Sequence, residues 1–309
     1  MLDKRRRSKR YWRNLALCAL GGTLIIGLGL VLAFSWWAVH AYTHPVRHQV
    51  TRPPDDLSYE SVVFPSADGL SLVGWFVSPS EEARNDAAII LCHGYGGTRS
   101  EMLPDAAILG QHGYSALLFD FRGHGESEGD LVTLGHDEVK DVQGAVAYVL
   151  ARPDVSPDRI GLLGHSMGGA IAIRAAARIS EIRAVVTEGA YASLADTIAN
   201  DFTTLTGLPS FPFAPLMVAL GEWQVGLDIK GVQPVQDVVR LSPRPVLFIH
   251  GLSDPVIPPE NGRRLYQAAG EPKSLWLPEG VGHVMAARQR PVEFEGRVVA
   301  FFDEALLSN

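Results

Sequence analysis

Beyond residue 57 the chain alternates between short apolar runs and longer amphipathic segments. SVVFP (61–65) and LSLVGWFV (70–77) predict two strands joined by a tight turn. Later apolar runs are typical of strands buried on both faces. They are AAIILC (87–92), SALLFD (115–120), RIGLLG (159–164), AVVTEG (184–189), PVLFIHG (245–251) and KSLWLP (273–278).

Helical periodicity lies between these runs, at residues 102–112, 138–151, 170–179, 261–269 and 292–307. Short strands that alternate with helices predict an α/β fold: a mostly parallel, eight-stranded sheet with helices on both faces. The first two strands should form an antiparallel edge. The alternation fails at about residues 190–244, which are rich in apolar residues, Pro and Gly. We interpret this stretch as a small cap insertion over one end of the sheet.

A second kind of pattern fills residues 15–39, which contain no charged residue. A helix of about 20 apolar residues crosses a bilayer, so this segment is long enough to span one with some tilt. Tyr11 and Trp12 flank one end and Trp36 and Trp37 the other, as interfacial aromatic residues do. A cleaved signal peptide is the alternative, but its apolar region would be only about 7–15 residues. An uncleaved transmembrane helix is therefore favoured.

The distribution of basic residues predicts how this helix is oriented in the membrane. The first 13 residues hold seven of the 27 Lys and Arg residues and one of the 34 Asp and Glu residues. The positive-inside bias predicts a cytoplasmic N-terminus and a body on the exterior side of the membrane. The predicted organisation is a basic cytoplasmic tail (1–14), a transmembrane helix (15–39), a linker (40–57) and the α/β domain (58–309). The acidic body argues against a nucleic-acid partner.

Candidate chemistry begins with GHSMGG at residues 164–169. Ser166 lies between a predicted strand and a predicted helix, where ligands sit in a parallel sheet. A tight turn there brings backbone close together, so Gly164 and Gly168 stand where a Cβ would clash. The pattern predicts a nucleophile elbow that exposes the serine hydroxyl. A Gly-Ser-Gly turn without chemistry is the alternative.

A serine hydroxyl needs a base, and the base needs an orienting acid. His283 lies in a Gly-rich loop after the last predicted strand and is the expected base, whereas His250 should be packed or hydrogen-bonded in a strand. Asp254, just past that strand, is the expected acid, with Glu188 as the alternative.

The oxyanion of an acyl-transfer intermediate needs backbone donors. We expect the amides of Met167, directly after the nucleophile, and Tyr95, in the loop HGYGG (93–97). A dinucleotide or phosphate loop is disfavoured there, because the third glycine would fall at Arg99 and no Lys-Ser/Thr pair follows. In DFRGHGES (120–127) we expect a scaffold in which Arg122 pairs with Asp120.

Together HGYGG, DFRGHGES, GHSMGG and the Asp254 and His283 loops resemble the α/β-hydrolase superfamily, over about residues 58–307. The membrane helix makes the chain similar to the Bem46/ABHD13-like group and to hydrolases of the serine aminopeptidase S33 type. The elbow is also similar to that of monoacylglycerol lipases. The resemblance implies a catalytic triad of Ser166, Asp254 and His283. It names no substrate, and the cap is short for a lipase lid.

The leading hypothesis is a membrane-anchored serine hydrolase that cleaves an ester or thioester of a small-molecule or lipid-like acyl substrate through an acyl-enzyme. A serine peptidase is the alternative, with Glu222 near the cap as a possible anchor for a peptide terminus. A non-catalytic binding protein of the same fold is disfavoured, because such proteins usually lose a triad member. No metal or organic cofactor is expected.

Overall fold

The computed structural model describes residues 2–55 and 57–308. Its first element is one long helix, α1 (Leu2–Thr43), of which residues 9–43 include a stretch apolar enough to cross a membrane by length and composition. The helix continues four residues beyond the predicted end of the span. It ends two residues before Pro45, because a residue that precedes proline disfavours helical backbone. The first positions of the expected linker are therefore helical.

Eight strands form one mixed sheet in the order β1-β2-β4-β3-β5-β6-β7-β8. Both neighbours of β2 run antiparallel to it, and the other pairings are parallel, as the predicted antiparallel edge requires. The strands are β1 (Tyr59–Pro65), β2 (Ser71–Val77), β3 (Ala88–Cys92), β4 (Ser115–Phe119), β5 (Ile160–His165), β6 (Ile182–Glu188), β7 (Val246–Ile249) and β8 (Lys273–Trp276).

Helices cover both faces of the sheet. They are α2 (Leu103–Gln111), which a 3-10 turn at Arg99–Met102 precedes, α3 (Glu138–Leu150), α4 (Met167–Ala176), α5 (Leu194–Thr206), α6 (Phe213–Val225), α7 (Pro234–Asp237), α8 (Glu260–Ala268), α9 (Ala286–Gln289) and α10 (Pro291–Phe302), with a π-helical turn at Asp303–Leu307. The predicted fold class is confirmed.

Strand β3 shows why the central strands are apolar at every position. Ala88, Ile90 and Cys92 belong to the hydrophobic cluster on one face of the sheet, whereas Ile89 and Leu91 belong to the cluster on the other. Successive side chains of a strand point to opposite faces, so a strand covered on both sides must be apolar throughout. Because β5 to β8 also pair in parallel, their carboxyl ends lie along one edge of the sheet.

Helices α5 and α6 and the 3-10 turn at Val238–Arg240 lie within the stretch where alternation fails. The cap insertion is thus largely helical. The two helices pack against each other, α6 packs against α1, and Phe202 of α5 shares an apolar cluster with Ala38 of α1. The N-terminal helix is therefore in contact with the α/β domain.

Candidate active site

Ser166 occupies the one-residue turn between β5, which ends at His165, and α4, which begins at Met167. Its backbone has φ 51° and ψ −115°, a conformation that non-glycine residues rarely adopt. The Ser166 amide donates a 2.7 Å hydrogen bond to the carbonyl of Glu188 on β6. Strain of this kind persists only where surrounding contacts hold it.

The two glycines of the elbow stand where backbone segments touch. A Cβ on Gly164 would overlap the carbonyl of Gly168, and a Cβ on Gly168 would overlap the carbonyl oxygens of Cys92 and His93. Helix α4 thus begins directly against the end of β3. This close approach is the physical reason for the glycine spacing that the sequence shows.

His283 lies in the loop after β8, and its side chain contacts Ser166. Its Nε2 atom accepts a hydrogen bond from the Ser166 Oγ at 2.9 Å, and its Nδ1 atom donates to Asp254 Oδ2 at 2.7 Å. The next residue, Val284, has φ 51°. The structure therefore brings the three side chains of the expected triad into one hydrogen-bond chain.

Asp254 is held by backbone groups as well as by His283. Its Oδ1 atom accepts hydrogen bonds of 2.9 Å from the amides of Val256 and Ile257. Its side chain is fully buried. One carboxylate oxygen is thus fixed by the turn, and the other is directed at the imidazole, which defines the position of the ring.

The alternative residues have other partners. His250 donates from Nε2 to the carbonyl of Ile257 at 2.8 Å, and burial lowers its pKa, so it stays neutral. Glu188 accepts from the Ala286 amide at 2.8 Å instead of bonding to His283. Glu188 therefore ties β6 to the segment that follows His283.

The loop expected to supply an oxyanion donor lies beside the nucleophile. A Cβ built on Gly94 would be 3.5 Å from the Ser166 Cβ, and Tyr95 lines the same cleft as Ser166. Met167 is the first residue of α4, where backbone amides have no acceptor within the helix. The amides predicted to act as donors, those of Tyr95 and Met167, are thus on segments that flank the serine.

Two buried histidines hold this loop. His93 Nε2 accepts from the Phe121 amide at 3.0 Å, and His124 Nε2 accepts from the Gly96 amide at 3.1 Å. Burial lowers the pKa of His93 to about 3 and also lowers that of His124. Both rings are therefore neutral acceptors, and they connect the loops that follow β3 and β4.

The expected pairing of Arg122 with Asp120 is wrong. Arg122 instead bonds Asp141 on α3 at 2.6 Å and Asp68 at 2.8 Å. The Asp120 carboxylate is paired with the guanidinium of Arg99, whose amide also donates to it at 2.7 Å. Arg99 begins the 3-10 turn that bonds to Asp120, whereas Arg122 connects helix α3 to the turn between β1 and β2.

A buried group beside the serine was not predicted. His165 Nε2 lies 3.7 Å from Asp105 Oδ2 and 3.7 Å from Glu188 Oε2. Burial raises the pKa of Asp105 to about 7, raises that of Glu188 and lowers that of His165. His165 stands inside the elbow motif, but nothing local in the sequence pairs it with helix α2.

The site opens into a cleft of about 780 Å³ that Ser166 and His283 line. Its walls come from the loop after β3, helix α2 and the segment after His283. The residues of α5 and α6 are not among those that line it within the described part of the chain. Glu222, proposed as a peptide anchor, lies outside the cleft and pairs with Lys230 at 3.2 Å.

Strand order, elbow and cleft together define an α/β hydrolase. Residues 83–221 match the family model described as serine aminopeptidase, S33. The chain is 35% identical to the protein YfhR of Escherichia coli K12 over 241 residues, which cover 77% of this chain and 78% of YfhR. It is 25% identical to the α/β-hydrolase domain-containing protein WAV2 of Arabidopsis thaliana, with 81% of this chain and 80% of that protein covered. The chain belongs to the α/β-hydrolase superfamily.

Solved structures give the same class. The Pyrococcus furiosus esterase Pf2001 superposes with a TM-score of 0.71 at 26% identity, over 86% of this chain and 98% of the esterase. A puromycin hydrolase superposes with a TM-score of 0.67 at 18% identity, over 84% of this chain and 41% of that protein. At that identity the second likeness concerns the fold alone. The chain is a hydrolase of the serine hydrolase and esterase-like type.

Proposed function

We propose that this chain is a membrane-anchored serine hydrolase that cleaves carboxylic ester or thioester bonds through an acyl-enzyme. The hydrogen-bond chain from Asp254 through His283 to Ser166 carries the proposal. The same order of acid, base and nucleophile activates serine in unrelated hydrolases. The likeness to a solved esterase favours esters over amides.

In the proposed reaction Ser166 Oγ attacks the acyl carbon while its proton moves to His283 Nε2. Asp254 holds the ring so that Nε2 faces the serine and stabilises the imidazolium that forms. The amides of Tyr95 and Met167 would donate to the oxyanion. His283 then gives its proton to the leaving alcohol or thiol, and a water molecule activated by the same histidine releases the acid.

The membrane part of the proposal rests on α1. Residues 15–39 carry no charge, and the basic residues lie before them, which favours a cytoplasmic N-terminus and a domain on the exterior side. An acyl substrate that partitions into lipid would be concentrated near a domain anchored in this way.

A peptidase is the second candidate, and one observation favours it. Asp105 lines the cleft, and its Oδ1 atom is buried without a hydrogen-bond partner among the described residues. A protonated amine of a substrate would supply one. The matching family model is also described as an aminopeptidase.

Labelling of the full chain by a fluorophosphonate probe tests the proposal. Wild type should be labelled and Ser166→Ala should not. Ser180→Ala, which removes a serine outside the cleft, should be labelled like wild type. Wild-type enzyme that has not been treated with the probe should cleave esters faster than peptide amides, and Ser166→Ala should cleave neither. Absence of labelling in a folded wild-type chain would favour a non-catalytic protein, and faster cleavage of amides would favour the peptidase.

A further inference from the structure

The last turns of α1 have one covered face. The covered residues recur at helical spacing, and they are Val31, Ser35, Ala38, Val39, Tyr42 and Thr43. Ser35 is only 1% exposed, although it lies inside the uncharged span. Their neighbours Trp36 and Trp37 are exposed. Another part of the protein therefore covers one face of α1 where this helix is predicted to cross the membrane surface.

That cover is the helical hairpin, which we define as α5, the turn at residues 207–212 and α6. A Cβ on Gly221 of α6 would be 3.5 Å from a methyl of Val39. Ala38 packs in one apolar cluster with Phe202 of α5 and Met217 of α6. The hairpin and α1 thus share a small hydrophobic core.

The direction of the hairpin follows from its contacts. Near Thr43 of α1 an apolar cavity is lined by Leu194 of α5 and Val225 of α6. Near Phe34 a second cavity is lined by Thr206 and Met217. Both helices therefore lead from their base beside Thr43 toward a tip that points back along α1.

The depth of the tip can be estimated. Phe213, the first residue of α6, precedes Gly221 by eight positions, or about 12 Å at roughly 1.5 Å per residue. Gly221 packs beside Val39. The tip at residues 207–212 therefore lies about level with Val31, inside the uncharged span rather than beyond its end.

The composition of the hairpin fits that position. Residues 202–221 contain no charged side chain, and Asp201 and Glu222 stand directly on either side. At the tip Phe211 is 76% exposed and Leu208 is 48% exposed. At the base Trp223 is 80% exposed beside Glu222. Apolar tip, aromatic base and flanking charges are the order in which residues cross a membrane interface.

The body is fixed to α1 by polar contacts, so the hairpin cannot swing away freely. The Val132 amide donates to the Thr43 carbonyl at 2.8 Å, and the Tyr95 hydroxyl donates to the Tyr42 carbonyl at 3.0 Å. Arg47 bonds several carbonyls of the 124–129 loop, including that of Gly125 at 3.1 Å. A bilayer around α1 would meet the tip.

We infer that the tip of the helical hairpin, residues 207–212, is embedded in the lipid bilayer beside α1. The inference rests on the proposed membrane anchoring and extends it, since the domain then has a second lipid contact that sets its orientation. Lipid is the chosen partner because the tip is continuous with the exposed face of α1 and carries no charge.

An environment-sensitive fluorophore on the full chain tests this inference. In a Cys18→Ala background, Phe211→Cys would be labelled with a nitrobenzoxadiazole maleimide and reconstituted into phosphatidylcholine vesicles. Cys92 is fully buried and should not react. We expect severalfold brighter, blue-shifted emission and strong quenching by lipids that carry a nitroxide on the acyl chain.

Val239→Cys is the matched control. Val239 is an apolar residue that is 56% exposed, in the turn before β7 at the edge of the sheet opposite the site. Its label should stay weakly fluorescent and unquenched by the lipid nitroxides. A double variant, Leu208→Glu and Phe211→Glu, should weaken flotation of the chain with vesicles after mild detergent treatment, while Val239→Glu should not.

Three results would overturn the inference. One is a Phe211→Cys label that lipid nitroxides do not quench in a chain retained by the vesicles. Another is an intermolecular disulfide between unlabelled Phe211→Cys residues of two copies, together with a label that lipid nitroxides do not quench, which would assign the tip to self-association. The third is loss of the chain from vesicles in alkaline carbonate, which would remove the anchor itself. Fluorophosphonate labelling of Ser166 in the same vesicles reports separately on the proposed hydrolase.

Discussion

The Nε2 atom of His283 lies 2.9 Å from the Oγ atom of Ser166, although 117 positions separate the two residues along the chain. Each is delivered by the end of a different strand, and the strained backbone at Ser166 turns its side chain toward the ring. On the other side of the ring, Asp254 is fixed by two backbone amides.

Asp254→Asn should retain the fold and lose most of the activity. The amide can still accept from the turn, but it no longer holds the His283 tautomer that faces the serine. A loss of about 10⁴-fold in kcat is expected for this change in a triad. Hydrolysis of a soluble short-chain ester by the full chain in detergent measures it.

Asp196→Asn is the control, because Asp196 lies on α5 and pairs with Arg264 on the surface. It should leave the rate unchanged. An Asp254→Asn enzyme within tenfold of wild type would assign the acid role to another carboxylate.

Gly168→Ala should destabilise the elbow by more than about 2 kcal/mol, because overpacking at a backbone contact forces the segments apart. The added Cβ would overlap the carbonyl of Cys92. Gly296→Ala, on α10 with no atom within 4 Å of the new Cβ, should raise stability by about 0.5–1 kcal/mol. Thermal unfolding of both variants in the same detergent measures the two changes in stability. Equal midpoints would contradict the predicted overlap at Gly168.

Arg122→Met should lower the free energy of unfolding by about 3–5 kcal/mol, since it leaves a buried carboxylate without its partner. That carboxylate is Asp141, whose side chain is fully buried and whose pKa burial raises to about 6. Urea unfolding of the full chain in detergent measures the change.

The comparison for this prediction is Arg183→Met, which removes an exposed ion pair with Asp158. Exposed pairs contribute about 0–1 kcal/mol, so the loss should be small. A similar loss in both variants would mean that the ion pairs of Arg122 contribute little to the free energy of unfolding.

Asp105→Asn should stabilise the protein at neutral pH more than at acid pH. Burial raises the pKa of Asp105 to about 7 in the folded chain, against about 3.9 in an unfolded one. Between these values the folded state binds the extra proton, so wild-type stability falls as pH rises, by up to about 1.4 kcal/mol per pH unit. The asparagine removes this dependence.

Unfolding midpoints of wild type and Asp105→Asn at pH 5 and pH 8 measure the effect. The gap between the two proteins should widen in favour of the variant at pH 8. An equal gap at both values would show that Asp105 ionises alike in the folded and unfolded chains.

The sequence by itself determined the fold class. A strand that is buried on both faces must be apolar throughout, and the helices between the strands show apolar residues at helical spacing. It also determined the position of the elbow, since a Cβ would clash at Gly164 and Gly168, two positions before and after Ser166. The sequence also indicated the candidate triad in the order serine, aspartate and histidine, with each residue after the end of a predicted strand. These features depend on residues that are close together in the sequence, or on the order in which the candidate triad residues occur along the chain.

Only the tertiary structure decided which charges pair and what covers α1. Arg99 and Arg122 carry the same guanidinium group and both lie near Asp120 in the fold, and their partners are set by ångström-scale distances between separate loops. Burial of Asp105 beside His165 likewise depends on how α2 packs over β5. Contact between α1 and the hairpin joins segments about 180 residues apart, and no local period records such a contact.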